Sequence, residues 1–151
     1  MHSHICAVFH IVFSTKQRTH LIPPAVQRRL WNYLAGIARN HRIMALEVGG
    51  TDNHVHLLMA LPPDIALCDV VRLLKTNSSR FMRETSRLFA WQVGYGAFSV
   101  SPSQVARVRR YIANQAAHHG KQTYDEEFAA LMQASNACIE NRVAPEGAGE
   151  I

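Results

Sequence analysis

The apolar residues of this chain change their spacing several times, and the order of those changes restricts the fold more than any other feature. Ile5, Ala7, Phe9, Ile11 and Phe13 alternate with their neighbours, the period of a strand with one buried face. From Val26 the spacing turns helical. Val26, Leu30, Tyr33, Leu34 and Ile37 share one side, Arg28, Arg29 and Arg39 lie elsewhere, and Pro23 and Pro24 suit a first helical turn. Tyr33 is accordingly expected in the core. Ile43 to Val48 reads as a second strand, Gly49-Gly50 as the turn that ends it, and His54 to Leu61 as the returning strand, stopped by Pro62-Pro63-Asp64. A second helix is predicted over about residues 66–87, with Val70, Leu74, Ser78 and Phe81 on its apolar side. Arg72, Lys75, Arg83 and Arg87 fall opposite as a basic stripe, a candidate DNA contact.

Phe89 to Ser101 is rich in aromatic and β-type residues, with Gly94 and Gly96 as flexible points, and predicts one or two short strands. Ser101 or Ser103 would cap a third helix running from Pro102 to Gly120, and a fourth helix is predicted over about 123–140. The order β-α-β-β-α-β, followed by C-terminal helices, predicts an α+β fold: a ferredoxin-like antiparallel sheet with helices on one face. The other face would stay open for function or for another subunit. Phe89 to Ser101 reads as edge-strand material, so a symmetric homodimer is expected.

The 151 residues fit one domain, 1–143, with 144–151 as a frayed tail. Hydrophobic residues make up 48%, enough for a substantial core, which excludes a disordered chain. Ile5 to Phe13 is too short to span a bilayer and lacks the flanks of a signal peptide, so no membrane partner is expected. Cys6, Cys68 and Cys138 form no disulfide framework or zinc spacing, which suits a cytoplasmic protein. Charge is uneven: residues 1–121 hold fifteen Lys/Arg against five Asp/Glu, whereas residues 122–151 hold one Arg against six acids. A basic body of this kind attracts polyanions, nucleic acid first among them.

Two segments carry candidate chemistry. His54 and His56 are two apart in a predicted strand, so both imidazoles project to one face, a good start to a metal site. Tyr111 and Gln115 are four apart on the third helix, with His118 near the same side and Val105, Val108 and Ile112 as the adjacent apolar stripe. A tyrosine hydroxyl becomes a competent nucleophile when a cation polarises the group it attacks. On residues alone the histidines also read as ordinary strand residues, Tyr111 as an interface aromatic and Gln115 as a surface amide.

Three longer segments go further: Gly49-Gly50-Thr-Asp-Asn-His54-Val-His56-Leu-Leu, Phe89-Ala-Trp91-Gln92-Val-Gly94-Tyr95-Gly96-Ala-Phe98-Ser-Val-Ser101, and Tyr111-Ile-Ala-Asn-Gln115-Ala-Ala-His118-His119. Together they resemble the single-tyrosine HUH transposases of the insertion-sequence 200/605 group, which include REP-associated tyrosine transposases. The opening His10-Ile-Val-Phe-Ser-Thr-Lys16 and Glu126-Glu127 resemble it too, so the likeness covers about residues 4–140. It implies a ferredoxin-like dimer that cleaves and rejoins single-stranded or hairpin DNA. Tyr111 would form a 5′-phosphotyrosine link, and His54, His56 and Gln115 would hold a divalent ion, Mg²⁺ or Mn²⁺. No nucleotide cofactor is implied, because the covalent link keeps the phosphodiester's energy. In such dimers the tyrosine helix can dock on the partner's histidine pair.

One departure concerns the position before His54. Many relatives carry an acid there, whereas this chain has Asn53, which replaces a carboxylate that could orient a ligand with an amide. Among the other tyrosines, Tyr95 is expected to shape the strand pair or touch DNA, and Tyr124 to lie in an acidic region unsuited to phosphate. The rival readings are a domesticated, non-mobile hairpin DNA- or RNA-binding protein of the same fold, a metal-dependent hydrolase using water, and a two-histidine phosphoesterase, whose His-x-Ser/Thr motifs this chain lacks.

Overall fold

In the computed structural model, which describes residues 2–115, 117 and 122–137, the first alternating segment forms β1 (Val8–Ser14) and the proline-led segment forms α1 (Pro24–Asn40). There follow β2 (Met44–Gly50), β3 (His54–Ala60), α2 (Leu67–Arg83) and β4 (Gly96–Ser99). A 3-10 turn at Pro102–Gln104 then leads into α3 (Val105–Ala113), and α4 (Tyr124–Ala137) closes the described part. The sheet order is β2-β3-β1-β4 with every pairing antiparallel, the predicted ferredoxin-like arrangement. No helix among the described residues is long and apolar enough to cross a membrane.

Alternation sends the strand side chains to two different cores. Ile11, Phe13, Val55, Leu57 and Met59 face Leu30, Leu34, Val70 and Leu74 of α1 and α2. Val8 and Leu58 point the other way and meet Ile112, with Val105, Val108 and Tyr111 around them. The second face, expected to be open, is therefore covered by the chain's own C-terminal helices. Phe89 and Trp91 explain the aromatic run before β4. Both rings pack edge-on, Trp91 against Phe13 at 4.8 Å and against Phe89 at 4.9 Å between centroids, and Trp91 Nε1 donates to Ser78 Oγ at 2.9 Å. Only an isolated bridge, Thr15 to Trp91, adds to the single strand there.

Several boundaries differ from the sequence reading. Gly49 and Gly50 do not turn the chain; they continue β2 and pair with His56 and Val55. The turn lies at Asp52 and Asn53, closed by Thr51 N–H donating to His54 O at 3.0 Å. Both glycines are demanded by close approach: a Cβ on Gly49 would sit 2.6 Å from the Ile112 carbonyl oxygen, and one on Gly50 would collide with His54 O. The second helix ends at Arg83, so Arg87 falls in the following turn. The third stops at Ala113, with Asn114 at φ −98°, ψ 19°, so Tyr111 and Gln115 are not on one unbroken helix. Neither Ser101 nor Ser103 supplies a side-chain cap, because the 3-10 turn separates them from α3. Tyr33 is 38% exposed and stacks on Phe81 at the rim of the core, at 4.3 Å. His118, His119, Cys138 and the 144–151 tail lie outside the described residues.

The glycine contacts lead to a paired prediction. Gly36→Ala, where nothing lies within 4 Å of an added Cβ, should stabilise the helix interior by about 0.5–1 kcal/mol. Gly49→Ala should destabilise by about 1–3 kcal/mol, since α3 must back away from β2. Thermal unfolding of both variants against the parent checks this, and equal shifts would refute the close approach of α3.

Candidate active site

β3 turns His54 and His56 toward the second face, where they are 1% and 0% exposed rather than displayed on an open surface. α3 brings Tyr111 over them, with ring centroids of Tyr111 and His56 5.7 Å apart, and α4 brings Glu127 beneath it. The Glu127 carboxylate is the hub. Its Oε2 lies 3.2 Å from His54 Nε2 and its Oε1 lies 3.1 Å from His56 Nε2. Gln115 Nε2 donates to Oε1 at 3.1 Å, and the Tyr111 hydroxyl donates to the same oxygen. Gln115 Oε1 in turn lies 3.4 Å from His54 Nε2. All the predicted chemical residues, Tyr111, His54, His56 and Gln115, thus meet within one chain.

The outer ring nitrogens are also engaged. His54 Nδ1 lies 2.8 Å from Asn53 Oδ1 and 2.9 Å from Thr51 Oγ1. Asn53 Nδ2 donates to Arg18 O at 3.3 Å, which aims the amide oxygen at His54. An amide oxygen here can accept the ring proton as an acid would, which fixes the orientation of the His54 ring. His56 Nδ1 pairs with His10 Nε2 at 2.8 Å. Because a histidine can donate or accept, that bond survives either tautomer of His56.

Electrostatics set the protonation of these groups. Burial opposes the charge on Glu127, but its contacts with His54 and His56 outweigh that and hold the carboxyl far below the usual range. Burial lowers His56, with the Glu127 contact opposing it. His10, buried and facing His56, drops to about 3, so it is a neutral partner. Burial, then the Glu127 carboxylate, pushes the Tyr111 hydroxyl up, which keeps it a proton donor at neutral pH.

These residues fit a divalent cation. His54, His56 and Glu127 place one ligand atom each within 4.8 Å of one another, all buried. His56 Nε2 is fully buried and, despite its closeness to Glu127, makes no aligned hydrogen bond among the described residues. No lysine or arginine pairs with Glu127 among those residues, so an ionised carboxylate is buried with only histidines as ion-pair partners. A buried anion and an unspent buried nitrogen are both relieved by a cation. Imidazole suits Mn²⁺ or a later metal, whereas carboxylate and amide oxygens suit Mg²⁺.

Glu127, His10 and Tyr124 were not singled out as site residues from sequence. Tyr124 is 4% exposed, its ring lies 5.0 Å from that of His54, and its hydroxyl donates to Gln92 Oε1 at 3.2 Å. The one sequence signal for Glu127 was its place in the Glu126-Glu127 pair, and for His10 its place at the head of the His10–Lys16 segment that resembles the family. The candidate DNA contacts sit elsewhere. Arg72 pairs with Asp69 at 2.7 Å, Lys75 donates to Gln92 O at 2.9 Å, and Arg83 donates to Phe89 O at 3.2 Å. Tyr95 is 37% exposed, with the Lys75 ammonium 6.0 Å from its ring centroid. Lys75 and Arg83 thus tie down the Phe89–Gly94 segment.

Comparison with known proteins finds relatives and solved structures of the same fold. ISDra2 transposase TnpA of Deinococcus radiodurans is 27% identical over 115 residues, covering 71% of this chain and 82% of that protein. A crystal structure of a Deinococcus radiodurans R1 protein assigned as a transposase superposes with a TM-score of 0.61 at 24% identity, covering 76% of this chain and 95% of the other. A REP-associated tyrosine transposase bound to a REP hairpin gives a TM-score of 0.60 at 15% identity, covering 80% of this chain and 73% of the other. Both share the fold. The family profile described as "Transposase IS200 like" matches residues 4–115. The chain belongs to the IS200-like transposase family.

Proposed function

We propose that this transposase cuts and rejoins single-stranded DNA with Tyr111 as nucleophile, beside a divalent ion held by His54, His56, Gln115 and Glu127. The observation that carries the reading is the convergence of the Tyr111 hydroxyl, the Gln115 amide and both histidine Nε2 atoms on the single carboxylate of Glu127. In the forward step the Tyr111 oxygen bonds to phosphorus and the bond from phosphorus to the 3′-oxygen breaks. One phosphodiester is exchanged for another, so no energy source is consumed and attack by a free 3′-hydroxyl reverses the step. The Tyr111 hydroxyl donates to Glu127 Oε1, which orients the nucleophile; its proton leaves as the O–P bond forms, and the departing 3′-oxygen is protonated in turn. When bound, the ion supplies positive charge to the non-bridging oxygens of the scissile phosphate. His10 and Asn53 orient the two imidazoles, and α4 keeps water from the cluster. The solved relative bound to a REP hairpin supports hairpin DNA as the substrate class.

Labelled single-stranded DNA of random sequence, incubated with the protein and Mn²⁺ or Mg²⁺, should give a covalent protein–DNA band on a denaturing gel. Tyr111→Phe should remove that band by about a thousandfold or more while DNA binding persists, as expected when a nucleophilic oxygen is deleted. A band of unchanged strength in Tyr111→Phe would move the nucleophile to Tyr124 or Tyr95.

Because one chain holds all the groups, mixing Tyr111→Phe with His56→Ala should not restore the adduct. Recovery of a substantial fraction of parental activity would mean that tyrosine and histidines come from different copies.

Ion binding is separable from turnover. Calorimetry with Mn²⁺ should show loss of binding in His56→Ala and weakening by about 10–100-fold in His10→Leu, with His10→Gln closer to the parent because its amide still pairs with His56. Identical affinities in parent and His10→Leu would remove His10 from the site.

A further inference from the structure

Beside the buried cluster lies a groove of about 760 Å³ that the proposed reaction does not use. Its floor includes His10 and Tyr111, so it opens directly onto the nucleophile. One wall is β4 and the residues after it, from Phe98 to Ser101; the second is α3 with its leading turn, and the third is Leu131, Ala134 and Ser135 of α4. Its volume lies within the range of small-ligand sites.

The lining has a consistent chemistry. Gln104, Arg107, Val108 and Tyr111 recur at helical spacing, so one side of α3 carries an amide, a cation, an apolar contact and the nucleophile in sequence. Arg107 lies four residues before Tyr111, about 6 Å along the axis. It is exposed and makes no ion pair among the described residues, whereas its neighbour Arg109 is drawn to Glu47 at 3.7 Å. No Asp or Glu lines the groove among the described residues, so its potential favours an anion. Phe98 supplies an aromatic ring, Val100, Val108 and Leu131 supply apolar wall, and Ser99, Ser101 and Gln104 supply hydrogen-bonding groups near the rim.

We propose that this groove is a nucleotide subsite, receiving the nucleotide next to the phosphodiester that Tyr111 attacks. The base lies against Phe98 and the apolar wall, because a π-face packs on an aromatic ring whatever the base. The neighbouring phosphate lies on Arg107, whose planar guanidinium matches phosphate oxygens. The hydroxyls and the Gln104 amide meet the base edge, which makes this groove the place where the protein discriminates bases beside the cut. The inference rests on the Tyr111 reading only for naming the phosphate; the binding itself does not depend on cleavage. It also answers how a strand reaches histidines that are themselves buried: the approach is from the half-buried Tyr111 side.

The test uses the full chain in chelator, where no strand is cut, with single-stranded DNA of random sequence about 20 nucleotides long, a length spanning typical site sizes. With 5-iodouracil in the DNA, photocrosslinks mapped by mass spectrometry should fall on the peptides carrying Phe98 and Arg107–Val108. By fluorescence anisotropy, Arg107→Glu and the groove-filling Val108→Trp should each weaken binding by about tenfold, in line with the loss of a stacked base or a phosphate contact. Arg28→Glu, the same charge change on α1, should weaken it by less than about twofold at physiological salt. Equal losses for Arg107→Glu and Arg28→Glu, with no crosslink at the groove, would leave only diffuse attraction and overturn the subsite. A Val108→Trp protein that changes from dimer to monomer with its DNA affinity intact would make the groove an interface between copies, and overturn it too. Adduct lost in Tyr111→Phe without groove crosslinks sinks the subsite alone; groove crosslinks with the adduct surviving in Tyr111→Phe sink the tyrosine assignment and leave the subsite standing.

Discussion

A carboxylate buried between a sheet and two helices needs partners on every side, and Glu127 finds them on three elements. It takes contacts from His54 and His56 on β3, from Tyr111 on α3 and from Gln115 just beyond that helix. Without these contacts the ionised group would be uncompensated, which costs several kcal/mol in a dry interior. The same contacts that make α4 dock on the sheet therefore assemble the candidate site. Packing and site geometry depend on one ion's need for satisfaction.

That dependence explains why the second face of the sheet is not apolar throughout. Val8, Leu58 and Ile112 form a small dry cluster at one end. His10, His56 and His54 occupy the rest, each paired through a ring nitrogen to a group that can only sit where the fold puts it. Antiparallel register sets Val12 against His56 and Ser14 against His54, which leaves His10 diagonal to His56 and within reach of its Nδ1. The glycine at 49 lets α3 lie close enough on β2 for Tyr111 to overhang this row. Backbone and side-chain requirements coincide there.

Asn53 illustrates how a substitution at a site can keep its physics. Where the resemblance leads one to expect an acid, this chain offers an amide oxygen at 2.8 Å from His54 Nδ1, held in orientation by its own donation to Arg18 O. The ring proton is still accepted, while one negative charge is absent from the neighbourhood. With Glu127 already ionised and buried nearby, a second carboxylate would add repulsion at short range. The amide avoids that.

Much of this protein was legible in its residues. The switches between period two and helical period, with turn and aromatic signals, located the strands and helices of the ferredoxin-like order, because burial of one face imposes that spacing locally. His54 and His56 sharing a face follows from the pleat alone, and the Trp91-Gln92 to Phe98 segment with Tyr111 and Gln115 identified the family. What the residues could not display was contact between distant segments. Glu127 lies 71 positions from His56 and His10 lies 46 positions from it, so no periodicity relates them. The helix break after Ala113, the burial of the histidines and the groove beside Tyr111 likewise arise only when α3 and α4 close over the sheet. Local spacing is set by which face of an element is buried; the meeting of a carboxylate, two imidazoles and a phenol is decided by tertiary packing, because only packing brings their charges and lone pairs within hydrogen-bonding distance.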